Sequence, residues 1–233
     1  MPASAGSSTA RAFAVRVDAA RLAGVMEQVL PPDVVVDEHR GDPVPATLFP
    51  EEELAVARAV PSRRTEYAAV RTCARAALTR LGPGPVAVPS APDRAPIWPP
   101  GVVGSMTHCD GFRAAAVAHA DAWTGIGIDA EVLEPLPPEV LSLVMSSAEQ
   151  AAISELDPVI CADRIVFSAK ESVYKVWSPI TNAWLGFEHV EVRIGPGTFT
   201  ARLLVRGLGT DLLHGRWAVG DGLVVTAVAL ARP

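Results

Sequence analysis

The order of helical and strand-like segments predicts an α+β protein of two similar halves, each a small, mainly antiparallel sheet packed on a long helix, meeting near residue 123. Three observations carry this. A long helical pattern is followed by a strand hairpin; a second helical pattern is followed by further alternating strands; and turn dipeptides between apolar runs punctuate both sets. The two halves share an element order but no repeated sequence, so the symmetry rests on that order alone.

Taken along the chain, Met1 to Arg11 is rich in Ser and Ala, and residues 1–12 read as a disordered start. The first half then covers residues 13–122 and the second 123–233. Glu51 to Leu81 combines apolar periodicity with good helix formers and ends at Gly82-Pro83-Gly84-Pro85, which predicts one long helix. The proline-rich stretch from Pro83 to Pro100 reads as extended loop. Val102 to Val117 reads as a hairpin turning at Cys109-Asp110-Gly111.

In the second half, Thr124 to Val132 reads as a strand, and Leu133 to Pro138 as a proline-broken turn. Helical pattern runs from Glu139 to Trp177 with an interruption near Pro158. Val190 to Ile194 and Phe199 to Val205 then alternate as strands. Trp217 to Leu230 closes the chain as a hairpin around Asp221-Gly222, a pair suited to a tight turn with positive φ.

Composition narrows the function. With 233 residues, 49% apolar and 20% charged, the chain is that of a globular protein with a sizeable core. The net charge of -6 argues against nucleic-acid binding, which needs a basic surface. No apolar run is long enough to span a bilayer, and no secretory leader pattern opens the chain; a cytoplasmic protein without a membrane partner is expected. Cys73, Cys109 and Cys161 are odd in number and widely spaced, offering neither a disulfide framework nor a C-x-x-C site.

Chemistry concentrates in three places. The only two lysines, Lys170 and Lys175, share one short segment, whereas the other 18 basic residues are arginine. An ammonium and a guanidinium differ most where phosphate or a proton is handled. On that helix Arg164, Ser168, Glu171 and Lys175 group on one side, with Ile165, Ala169, Val173 and Val176 opposite; Lys170 leaves at about a right angle. In Ile126-Gly127-Ile128-Asp129-Ala130-Glu131, strand alternation turns Asp129 and Glu131 the same way, as hard oxygen ligands for Mg²⁺ or as a merely solvated strand face. Gly104-Ser105-Met106-Thr107-His108-Cys109-Asp110-Gly111 offers close backbone approach, and Thr107 and His108 could donate to phosphate oxygens.

These segments together resemble the Sfp-type 4′-phosphopantetheinyl transferases, in particular the EntD-like branch of actinobacteria. The resemblance runs from about Arg58 to Leu230. It is carried by Arg63-Arg64-Thr65-Glu66-Tyr67 with Arg71, by Ile97-Trp98-Pro99, by the Gly104 to Cys109 and Gly127 to Glu131 segments, by Phe167 to Lys175, by Trp184-Leu185-Gly186-Phe187 and by Gly215-Arg216-Trp217.

What the resemblance implies is a two-lobed pseudodimer with its active site in the cleft between the lobes. Such an enzyme moves the phosphopantetheine arm of coenzyme A onto a serine of an apo acyl or peptidyl carrier protein and releases adenosine 3′,5′-bisphosphate. Matched residue by residue, Asp129, Glu131 and Glu171 would hold Mg²⁺, or Mn²⁺ in its place, on the pyrophosphate. Glu171 would also take the serine proton, while Lys175, helped by Lys170, would neutralise the diphosphate. Thr107 and His108 would contact phosphates, and Arg64, Arg71 and Arg94 the 3′-phosphate and nucleotide end. Arg63 adjoins Arg64, and the sequence leaves open which of the two points inward; where many relatives carry a Gly-Lys-Pro loop this chain has Asp93-Arg94-Ala95-Pro96.

Val144 and Met145 belong either to a carrier-facing patch or, as favoured, to the core. Two fused lobes make a monomer sufficient. Two other classes share these residues: a metal-dependent phosphohydrolase of a nucleotide diphosphate such as coenzyme A, and a non-catalytic coenzyme A binding module.

Overall fold

A computed structural model of the chain describes residues 24–41 and 46–233, so the expected disordered start at residues 1–12 lies outside the described residues. The first half contributes strand β1 (Val35–Arg40), helices α1 (Pro50–Val56) and α2 (Pro61–Leu81), and strands β2 (Val102–Cys109) and β3 (Phe112–His119). These strands form an antiparallel three-stranded sheet in the order β1-β3-β2. The second half contributes β4 (Trp123–Val132), α3 (Pro138–Val144), α4 (Ser147–Ile153), α5 (Ala162–Thr181), β5 (Val190–Gly195), β6 (Thr198–Leu203), β7 (Leu212–Gly220) and β8 (Leu223–Ala231). Its sheet has the order β4-β8-β7-β6-β5, antiparallel throughout. The architecture is therefore α+β with two lobes, each a sheet on a long helix.

The first predicted helix is broken, and the second, interrupted at Pro158–Ile160 as predicted, has one further break. The first divides into α1 and α2 because Pro61 fixes the first turn of α2 and pushes Val60 to an extended ψ of 154°. Glu52, fully buried on α1, holds the pieces together. It accepts from the backbone N–H of Phe49 and of Val88, each at 2.9 Å, and pairs with Arg75 of α2 at 2.9 Å. The second breaks between α3 and α4, where Ser146 caps α4 and its backbone N–H donates to Glu149 at 2.9 Å. Beyond the predicted end at Trp177, α5 runs to Thr181 with Pro179 in its last turn.

Each helix lies on its sheet by its apolar side. Cys73, Ala74, Ala77 and Leu78 of α2 pack with Ala115 and Val117 of β3. Ile165, Ala169, Val173 and Val176 of α5 pack with Phe199, Val224 and Val228 of the larger sheet. The β7–β8 turn is as predicted, with Asp221 at φ 53° and Gly222 at φ 77°, the two positive values a two-residue turn of this hand requires.

The lobes meet along β2 and β4. Side chains substitute for a backbone ladder there: the N–H of Ile128 donates to Ser105 Oγ at 3.1 Å, and that of Ala130 to Thr107 Oγ1 at 3.1 Å. On the other face of β4, α5 approaches so closely that a Cβ on Gly127 would overlap the carbonyl oxygen of Ser172. That contact sets the height of α5 over β4, and so which of its polar side chains reach the strand.

Candidate active site

Alternation along β4 sends Ile126, Ile128 and Ala130 into the core shared by the lobes and turns Asp129 and Glu131 toward α5. Lys175 reaches down from α5. Its ammonium donates to Asp129 Oδ1 at 2.7 Å and to the Ile128 carbonyl at 2.9 Å. Thr107 Oγ1, from the other lobe, donates to the same Oδ1 at 3.2 Å. Asp129 is buried, and its second oxygen, Oδ2, has no hydrogen-bond partner among the described residues. A buried carboxylate oxygen left without a donor is costly, and a cation removes that cost.

Glu131 lies two residues on and pairs with Arg164 at 3.0 Å. Arg164 is itself fixed by donating to the carbonyls of Glu134 at 2.8 Å and Pro135 at 3.1 Å. Burial first, and the Asp129 charge second, push the Glu131 carboxyl up to about 7 despite Arg164. Glu171 is also raised, again by burial first and Asp129 second, with Lys175 opposing. Asp129 thus repels both other carboxylates, and the three are electrostatic neighbours from separate parts of the chain. This excess of negative charge around an unpartnered oxygen fits a hard divalent cation such as Mg²⁺. The oxygens of the three do not all lie within 4.8 Å of one another among the described residues. Lys175 and Arg164 hold two of them apart.

The phosphate side departs from expectation in several places. The Thr107 hydroxyl is buried, donating its proton to Asp129 and accepting from the Ala130 N–H, so it serves as a clamp between the lobes and has no proton free for a phosphate oxygen. His108, next along β2, is half-exposed; its Nε2 lies 3.1 Å from Arg63 Nη1 and 3.6 Å from Glu66. Burial first, and Arg63 second, lower its pKa, so the neutral ring predominates at pH 7. Of the two adjacent arginines, Arg63 therefore reaches His108, whereas Arg64 pairs with Glu53 on α1.

Arg71 is buried, its guanidinium stacked 3.5 Å over the Tyr67 ring and donating to Ser90 Oγ at 2.9 Å, which ties α2 to the Pro83–Pro100 loop. Burial pulls its pKa down to about 10, so it stays charged. Arg94 stands exposed in the turn closed by the Ala91–Ala95 hydrogen bond, at φ 73°.

Lys170 also departs from expectation. It is 3% exposed and points into the second lobe, where its ammonium donates to Glu149 at 3.0 Å, the Val144 carbonyl at 2.8 Å and the Phe187 carbonyl at 3.1 Å. With three donors spent on three acceptors it has none left for a diphosphate. Its partner Glu149 also accepts from the Val192 N–H at 2.9 Å, linking α5, α4 and β5. Val144 and Met145 are core, as favoured.

Sequence reasoning left the choice between Arg63 and Arg64 open, missed Glu149, and gave no role to the Trp184–Phe187 segment. That segment, with Tyr174, Val190 and the stem of Lys170, lines an apolar cavity of about 110 Å³ that opens beside Glu171. Tyr174 and Trp184 meet edge to face at 5.3 Å, and Trp184 is 77% exposed, so it stands at the cavity mouth.

Comparison with known proteins gives the family. The sequence profile of the 4′-phosphopantetheinyl transferase N-terminal domain matches residues 51–118, and that of the 4′-phosphopantetheinyl transferase superfamily matches residues 125–228. The chain is 52% identical over 227 residues to the 4′-phosphopantetheinyl transferase Svp of Streptomyces mobaraensis, covering 89% of this chain and 90% of that protein. It is 44% identical to Npt of Nocardia iowensis, covering 89% and 100%, and 41% identical to PptT of Mycobacterium tuberculosis, covering 90% and 97%. Built from a cation-ready carboxylate group between two lobes, and alike over most of its length to these enzymes, the chain belongs to the 4′-phosphopantetheinyl transferase superfamily.

Proposed function

We propose that this transferase moves the 4′-phosphopantetheine arm of coenzyme A to a serine hydroxyl of an apo acyl or peptidyl carrier protein. The serine oxygen forms a bond to the phosphorus that bears the pantetheine. The bond from that phosphorus to the bridging oxygen breaks, and adenosine 3′,5′-bisphosphate leaves. The observation that carries this reading is the unpartnered Oδ2 of Asp129, flanked by Lys175, Glu131 and Glu171 at the junction of the lobes.

Asp129, Glu131 and Glu171 would hold Mg²⁺ or Mn²⁺, which when bound polarises the diphosphate and offsets its charge. Lys175 holds Asp129 Oδ1 in place through its 2.7 Å contact, and its ammonium would stabilise charge on the leaving oxygen. Glu171, a carboxylate with a raised proton affinity at the edge of the cavity, accepts the serine proton. Arg63 and His108 would meet the diphosphate, and Arg71 and the exposed Arg94 the nucleotide end. The apolar cavity under Trp184 suits the aliphatic parts of the narrow pantetheine chain. Lys170 acts only by fixing the cavity wall.

Among the described residues no helix is long and apolar enough to cross a membrane. We take the enzyme to work as a cytoplasmic monomer on a carrier with acidic surface. Relatives include the enterobactin synthase component D of Salmonella typhimurium, 31% identical over 180 residues, which brings siderophore carriers into the panel beside fatty-acid, polyketide and nonribosomal-peptide ones. The test is to mix the protein with coenzyme A, Mg²⁺ and that panel of apo carriers, and to weigh the carriers intact. One added phosphopantetheine on any carrier is the expected result. Breakdown of coenzyme A to free phosphopantetheine and the bisphosphate, with every carrier unmodified, would replace the transferase by a hydrolase.

A further inference from the structure

A second group of ligand-type side chains lies in the first lobe and shares no residue with the Asp129 cluster. Asp37 and His39 are two apart on β1, so both project from the same face, toward α2, while Glu38 projects the other way and accepts from the backbone N–H groups of Val25 and Met26. Cys73 of α2 is fully buried against that face. A carboxylate oxygen of Asp37, a ring nitrogen of His39 and the sulfur of Cys73 lie within 4.8 Å of one another, the one such trio among the described residues.

Two details go beyond proximity. Asp37 Oδ2 is buried and lacks a hydrogen-bond partner, although the His39 Nε2 atom stands 3.2 Å away. Arg80 approaches the other oxygen, Oδ1, at 3.6 Å, and so leaves Oδ2 to the interior of the trio. In a tetrahedral zinc site with Zn–N and Zn–O bonds of about 2.0 Å, neighbouring ligand atoms are about 3.3 Å apart. The Asp37–His39 spacing is that edge. The Cys73 sulfur lies within 4.8 Å of both atoms, close enough to supply a third ligand, and the exposed side of His39 gives water access to a fourth position.

We propose that Asp37, His39 and Cys73 bind a divalent transition-metal ion of the Zn²⁺ class, tying the edge strand β1 to α2. The donor set decides the class: one thiolate, one imidazole and one carboxylate suit Zn²⁺ or Co²⁺ and are poor for Mg²⁺, which takes oxygen ligands. On binding, the thiol proton is displaced to solvent and a sulfur–metal bond forms, with no change of oxidation state. The simpler alternative is a Cys73 thiol that keeps its proton, pushed up to about 12 by burial first and by Asp37 second, and donates it to Asp37 or to the Arg113 carbonyl at 3.9 Å. An ion held by folded residues from two elements also stabilises the lobe, because the unfolded chain does not assemble the site.

The experiment uses the full chain, stripped with chelator and returned to excess Mg²⁺ so that the acidic cluster is supplied with its own ion, and then titrated with Co²⁺. Expected is a thiolate-to-cobalt charge-transfer absorption that saturates at one equivalent and is displaced by Zn²⁺, with a higher Tm in Zn²⁺ than in Mg²⁺ alone. Cys73→Ser should abolish the band, and Cys109→Ser and Cys161→Ser should leave it. His39→Ala, at a ring that is 59% exposed and so safe for folding, should weaken Co²⁺ binding at least about tenfold. Absence of a saturable band, its survival in Cys73→Ser, or wild-type affinity in His39→Ala would each overturn the proposal. Should Cys73→Ser not fold, His39→Ala decides alone.

Discussion

The ammonium of Lys175 lies 2.7 Å from Asp129 Oδ1, and this contact joins the long helix of one lobe to the strand that runs along the other. It makes Lys175 the positive group nearest the buried carboxylate and leaves Asp129 Oδ2 as the open ligand. Asp129→Asn should therefore remove the open charge without changing shape, and Lys175→Met should leave the carboxylate buried and unpaired. Both should lower kcat/KM by about 10²- to 10³-fold, the usual cost of one preorganised electrostatic contact. Lys175→Met should also lose roughly 2 kcal/mol of stability, less than a fully buried pair because the lysine is partly exposed. Steady-state assay with one carrier and denaturant unfolding check both numbers. Lys175→Met with wild-type kcat/KM would remove it from the chemistry.

The Glu131 carboxyl, pushed up to about 7, predicts a pH effect whose sign follows from proton counting. Between the ordinary glutamate value of 4.5 and about 7, the folded state holds this proton more tightly than the unfolded one. Unfolding free energy contributed by this group is therefore highest below 4.5 and falls as pH rises to about 7. The loss should be on the order of 1–2 kcal/mol once solvent screening is allowed for. Mg²⁺ favours the ionised form and should cancel the loss, so Tm should drop across this window in chelator and hold level in magnesium. Glu131→Gln should flatten the chelator curve, and a Tm rising with pH through the window in wild type only would contradict the assignment.

How much of this could be read from residues alone is clear at particular positions. Asp129 and Glu131 were legible because strand alternation is strict, and the β7–β8 hairpin because Asp221-Gly222 permits one tight turn. The α1–α2 break was blurred because good helix formers continue on both sides of Pro61, and only the extended Val60 reveals the stop. Lys170 was misread for a different reason. A helical wheel gives the angle at which a side chain leaves, but not what waits there, and Glu149, Val144 and Phe187 come from three other segments. Thr107 shares that fate: its partners Asp129 and Ala130 belong to the other lobe.

Lys170 consequently gives a prediction opposite to that for Lys175. Lys170→Met leaves Glu149 buried without its partner and should cost about 3–5 kcal/mol of stability, whereas Lys170→Met with Glu149→Gln should recover a large part of it. At a temperature where the double variant is folded, kcat per folded molecule should stay within several-fold of wild type. A loss of 10²-fold or more in a fully folded double variant would return Lys170 to the diphosphate.

Gly127 tests the height of α5 over the strand. A methyl group there meets the backbone carbonyl of Ser172, and its next neighbour, Val176 Cγ2, is 3.0 Å away. Backbone cannot rotate aside as a side chain does, so α5 would have to lift off β4. Gly127→Ala should cost about 3 kcal/mol or more and lower activity by moving Lys175 from Asp129. Gly125→Ala is the control: its nearest neighbour is the Ile180 Cδ1 atom at 3.1 Å, which can swing away, and the cost should be near 1 kcal/mol. Equal effects at the two glycines would show that strand flexibility, rather than contact with Ser172, governs both.

Trp184 gives the cleanest separation of binding from chemistry, because it is exposed at the cavity mouth and, among the described residues, has an edge contact with Tyr174 and no side-chain hydrogen bond. Trp184→Ala should leave stability within about 0.5 kcal/mol, as for other exposed positions. If the cavity holds the pantetheine chain, the lost apolar cover should raise KM for coenzyme A about tenfold and leave kcat nearly unchanged, since the wall touches ground state and transition state alike. 3′-Dephospho-coenzyme A should suffer the same factor, because it keeps the pantetheine and lacks only the distant phosphate. A variant whose kcat fell while KM held would place Trp184 against the carrier or the reacting centre instead.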